Sequence, residues 1–114
     1  MTIKNLLDKI KVSPKTIEFS EVISTIDENY NFTPTAFQNG DTFNEAGKNT
    51  GSCKIFSFAK VQNLNKEETL ACFGAFYRKD VLENPEGTDH QNIRNFMKFS
   101  WEGIQFEGEA LGLK

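Results

Sequence analysis

Residues Asn65–Leu82 read NKEETLACFGAFYRKDVL, and the reading of this stretch decides the fold class. Asn65 with Glu68 three positions later is a capping-box variant that opens a helix. Leu70, Phe73, Gly74, Tyr77 and Val81 then recur at helical spacing. Cys72 with Phe76, and Ala71 with Ala75 and Leu82, carry the apolar surface onto other faces. A helix apolar on nearly all sides belongs in an interior, so the expectation is one central helix reaching about Leu82. Gly74 in its middle costs about 1 kcal/mol relative to Ala, which suits a place where a neighbouring segment approaches closely.

The flanking sequence supplies the layers around it. Downstream, Thr88 and Gln91 form a second capping box, Ile93, Phe96, Met97 and Trp101 make a buried stripe, and Gly103 stops the helix. Ile104 and Phe106 then alternate with Gln105 as a short strand. Upstream, Ser52 offers a cap for a helix from Cys53 to about Leu64, although Ile55, Ser57, Ala59 and Val61 also alternate as in a strand. Pro34 keeps Thr33 out of helical geometry, so Thr35–Phe37 reads as extended chain and the natural mate of Ile104–Phe106. At the N-terminus, Ile3, Leu6, Leu7 and Ile10 mark a short amphipathic helix. A second begins at Ser13-Pro14, with Val12 and Ile17 placed as a hydrophobic staple, and runs to about Tyr30. The expected class is α+β, mainly α: about five helices with one small two-stranded antiparallel β-sheet, in a single domain spanning residues 1–114.

Composition narrows the function classes. A chain of 114 residues can bury roughly two-thirds of its unfolded surface without metals or disulfides. The net charge of -3 and pI near 5.2 argue against nucleic acid as a partner. The mean hydropathy of -0.49 and the lack of a long apolar run argue against a membrane span. Cys53 and Cys72 match no metal spacing, and one histidine with scattered carboxylates leaves no metal site or cofactor motif to expect. Without a secretory-type leader in the first residues, the expectation is a cytoplasmic protein with free thiols.

Candidate site residues cluster in three places. Gln38–Ser52, QNGDTFNEAGKNTGS, reads as a long irregular loop: either a solvated loop held by Asn39, Asn44 and Asn49, or the rim of a ligand site. Cys53 and His90, the only histidine, both fall in expected first helical turns, where a thiolate or a neutral imidazole base is favoured. Together they would form a nucleophile and its base if the fold brought them together. Arg78, Asp80, Asp89 and Arg94 are either internal ion-pair partners or groups aimed at an anionic ligand. One expectation joins these features: the 38–52 loop and the starts of the third and fifth helices converge on a single polar patch suited to an anion.

Several runs are also similar to a known family. Phe37-Gln-Asn-Gly40, Asn44 through Gly47-Lys-Asn49 to Phe56, Thr69-Leu70 with Cys72-Phe-Gly74, Tyr77-Arg-Lys-Asp-Val-Leu82, Asp89-His90-Gln-Asn-Ile-Arg94-Asn-Phe-Met97 and Trp101 through Gly108 resemble the HopJ type III effector family, over roughly residues 30–114. The resemblance implies kinship with proteins delivered into plant cells by type III secretion, and brings no established activity or catalytic residues. Helix signals starting at Ile3 differ from the disordered, Ser-rich N-terminus of such export signals. Three functions therefore compete: a small binding or interaction protein taking an anionic ligand or a protein partner, a hydrolase or transferase using Cys53 and His90, and an exported effector that engages a host protein.

Overall fold

In the computed structural model, which describes residues 1–114, the N-terminal helix α1 spans Ile3–Val12. The Thr2 hydroxyl accepts from the Asn5 N–H at 3.0 Å, and Leu6 and Ile10 face inward. The second helix starts later than its Ser-Pro signal suggests. Pro14–Thr16 makes only a 3₁₀ turn, Ile17 is extended (φ -67, ψ 134), and α2 runs Phe19–Asn29. The staple does not form: Ile17 is fully buried, but Val12 is 81% exposed. Across the core the Gly74 backbone packs against the chain at residues 17–19, where Ile17 and Glu18 are extended and α2 begins only at Phe19. Lys9 clamps α1 to α2 through both Glu21 carboxylate oxygens at 2.9 Å, and Glu21 also accepts from the Glu18 N–H.

Five strands form two small antiparallel sheets. β1 (Tyr30–Phe32) pairs with β5 (Leu111–Leu113), a sheet that no local signal announced. β2 (Phe37–Asn39) pairs with β4 (Ile104–Phe106), in register Phe37↔Phe106 and Asn39↔Ile104. The expected pairing is present but begins at Phe37, with Ala36 still accepting from the Glu107 N–H at 3.0 Å. The expected irregular loop instead opens as a hairpin. Gly40 and Asp41 turn the chain, and β3 (Thr42–Asn44) adds a third strand in the order β3-β2-β4.

The central helix is α3 (Thr50–Val61), not the 65–82 stretch. Cys53, Ile55, Phe56, Ser57, Phe58 and Ala59 are all buried, so the strand-like alternation reflects a helix covered on most faces. Phe56 is fully buried and meets four rings, those of Phe37, Phe73, Phe96 and Trp101, with centroids 5.0–6.4 Å away. The Asn65–Glu68 capping box forms as read, with bonds of 2.8 and 3.0 Å, but α4 covers only Lys66–Ala71. Gly74, at φ +60, turns the chain, and Phe76–Val81 continues as a π-helical segment. The last helix, α5 (Gln91–Phe99), begins two residues later than expected, with His90 at its N-cap, and Gln91 donates its side-chain N–H to the Thr88 carbonyl at 2.6 Å instead of closing a capping box. A 3₁₀ turn at Ser100–Gly103 leads into β4, and Trp101 Nε1 donates to the Leu64 carbonyl at 3.0 Å. No helix is long and apolar enough to cross a membrane.

Candidate functional site

A cleft of about 490 Å³ opens between the starts of α3 and α5. Thr42 and Asn49 border it from the hairpin and the following loop, Gly51 and Ser52 from α3, and His90–Ile93 from α5. Phe19, Phe73 and Phe76 form its apolar wall. Both helices start from a residue in left-handed conformation, Asn49 (φ 51) and His90 (φ 50), and neither side chain caps its own helix. The N–H groups of Gly51, Ser52, Gln91 and Asn92, four residues that line the cleft, consequently have no hydrogen-bond partner in the protein.

An asparagine network sets the spacing of the two helix starts. Asn44 and Asn92 exchange side-chain hydrogen bonds at 3.1 and 2.9 Å, and Asn49 donates to Asn44 Oδ1 at 2.6 Å. Asn39 donates to both the backbone and the side-chain oxygen of Asn92 at 2.9 Å. Asn95 donates to the Asn39 carbonyl and to Thr42 Oγ1 at 3.2 and 2.7 Å. Asn39 and Asn44 are thus buried ties beneath the cleft, whereas Asn49 also lines it. Sequence reading missed Asn92 and Asn95; their three-residue spacing on one face of α5 was the available signal.

The charged candidates divide in the same way. His90 Nε2 lies 3.1 Å from Asp80 Oδ2 and 3.9 Å from Asp89 Oδ2, and the Phe76 ring packs on its face at 5.1 Å. Asp80 reaches His90 from the π-helical segment. Arg94 is spent on structure: it donates to the Asp89 and Asn84 carbonyls and to Asp89 Oδ1 at 2.6, 2.9 and 2.7 Å. That last bond holds the exposed Asp89 carboxyl below its usual range. Arg78 does not line the cleft, and its buried Nη1 has no partner. No three His, Cys, Asp or Glu side chains are grouped to hold a metal.

No hydrogen bond joins Cys53 to His90, and Cys53 does not line the cleft; its thiol donates to the Thr35 carbonyl at 3.4 Å. It is buried because α3 starts at Thr50, not Cys53, which places the thiol a full turn in. Burial pushes this thiol above its ordinary value, and burial pushes Cys72 up to about 12. Thiol reagents at neutral pH should therefore leave the folded protein unmodified and react with both cysteines once it is denatured; a fast-reacting thiol in the native state contradicts this burial. The raised Cys72 value also has a pH consequence. Above about pH 8.5 the unfolded chain ionises this thiol while the folded one stays neutral, so stability falls from there to about pH 12. Denaturation midpoints across that window should show a shallower fall in Cys72→Val.

A family model described as HopJ type III effector protein matches residues 3–111. A crystal structure described as that of unknown function protein VPA0580 aligns with a TM-score of 0.99 and 57% identity, covering 100% of this chain and 95% of that one. No curated protein matches.

Proposed function

This chain belongs to the HopJ type III effector protein family, and for it we propose a binding function: the cleft between α3 and α5 takes a small anionic ligand. One observation carries the reading. Two helix starts open onto the same cleft beside His90, with four N–H groups free to donate. Each helix start brings the positive end of its dipole, so a carboxylate or phosphate placed between them meets two favourable fields at once. The aromatic wall of Phe19, Phe73 and Phe76 suits an apolar body attached to that anion, and the volume lies in the range of small-molecule sites. Arg94, Asp89, Asn39 and Asn44 support the ligand indirectly, by fixing the cleft's walls.

The test is a titration of ¹⁵N-labelled protein with inorganic phosphate, followed by amide chemical shifts. Shifts should concentrate at Gly51, Ser52, Gln91 and Asn92, and weaken as chloride is raised. Phosphate that leaves these four amides unmoved at millimolar concentration, or moves surface amides indiscriminately, overturns the reading.

A further inference from the structure

We propose that the ligand of this cleft is an aromatic acid: one small flat ring carrying a single carboxylate or phosphate. The inference deepens the anion-binding reading and rests on it for the charged end of the ligand.

A row of three rings carries the aromatic part. Phe19 and Phe76 meet edge to face with centroids 5.0 Å apart, and the His90 imidazole follows Phe76 at 5.1 Å, tilted by 32°. All three residues line the cleft. The row connects one helix start to the other. At one end the Phe19 ring edge lies so close to Gly51 that a Cβ there would stand 2.8 Å from Cζ. At the other end His90 is the residue immediately before α5. Gly51 and Gln91, whose N–H groups are free, therefore flank the two ends of the row.

The middle ring is the one left in water. Phe37, Phe56, Phe58 and Phe96 are fully buried, whereas Phe76 is 39% exposed and stands outside the core cluster. A ligand that covers this ring removes apolar surface from water. A flat ring does so better than a saturated one, because aromatic pairs at such spacings attract beyond the area they bury.

The charged side chains that are missing from the cleft narrow the other end of the ligand. No Lys, Arg, Asp or Glu side chain lines it. A polyphosphate would find no cation to match its charge, and an ammonium group no carboxylate. A single anionic group suits two helix starts and one imidazole.

The test compares ligands in pairs by amide shifts of ¹⁵N-labelled protein: phenylacetate against acetate, phenyl phosphate against inorganic phosphate, and cyclohexylacetate as the saturated control. At least one aromatic acid should bind about 10-fold or more tightly than its bare anion, the scale of burying one ring, with shifts at Gly51, Ser52, Gln91 and Asn92. The pair with the larger gain identifies the anionic group. Phenylacetate should also bind more tightly than cyclohexylacetate. Phe76→Leu keeps an apolar side chain but breaks the row, and should lower the preference for the aromatic acid by about 3–10-fold; Phe19→Leu serves if Phe76→Leu does not fold. Aromatic acids no tighter than their bare anions, cyclohexylacetate equal to phenylacetate, or an unchanged preference in the leucine variant overturns the proposal. Inorganic phosphate that moves the four amides while a ring adds nothing leaves the anion-binding reading standing and removes this one; if no anion moves them, both fall.

Discussion

Phe56→Ala is expected to destabilise the protein by about 3–5 kcal/mol, a large share of what a domain of this size possesses. Phe56 is fully buried on α3 and touches rings from β2, the turn before Gly74, α5 and the 3₁₀ turn beyond it. These elements come from four separate parts of the chain. They cannot collapse together into the vacated space without giving up the sheet register that fixes Phe37 opposite Phe106. Denaturant unfolding should show a lower midpoint with an unchanged slope. A loss below about 1 kcal/mol would mean that the core closes over the gap, against the usual cavity cost.

Gly74→Ala is the second large effect. A Cβ there would lie 2.7 Å from the Phe19 backbone nitrogen and 3.2 Å from the Ile17 carbonyl oxygen, and neither atom can rotate away. The left-handed backbone adds about 1–2 kcal/mol and the overpacking about 1–3 kcal/mol, together roughly 2–5 kcal/mol. Gly47 provides the control. Its φ is also positive, but nothing lies within 4 Å of its would-be Cβ. Gly47→Ala should therefore show only the conformational part, and equal losses at the two positions in parallel melts would remove the close approach from the explanation.

Gly74 also shows where the sequence was legible and where it was not. Its cost in a helix was readable, and so was the need for a close neighbour. That the neighbour is the backbone of residues 17–19 depends on a contact across more than fifty positions, made where α2 begins and just beyond the end of α4. Local chemistry did better where the partner was near. The Asn65–Glu68 box appears where the residues put it. The sheet joining β1 to β5 was invisible because neither segment carries a turn or an alternation long enough to read. At the site, the approach of the two helix starts was foreseeable from their free N–H groups. The burial of Cys53 was not, because it turns on Asn49, instead of Ser52, beginning α3.

The turn between β2 and β3 gives this protein a chemical clock. Asparagine followed by glycine is the pair most prone to deamidation, in which the glycine nitrogen attacks the asparagine side-chain carbonyl and expels ammonia. In the folded chain the Gly40 nitrogen donates to the Gly103 carbonyl at 2.9 Å, and Asn39 is wholly buried with its amide bonded to Asn92. The reaction can therefore proceed only from molecules that have opened, and ageing of the protein is metered by its own unfolding. Once it has occurred, the carboxylate left in place of the amide can no longer donate to Asn92 and would have to be buried as a charge. Each excursion that ends in deamidation is thus hard to reverse, and variants weakened at Phe56 or Gly74 should lose native protein during storage faster than the parent chain.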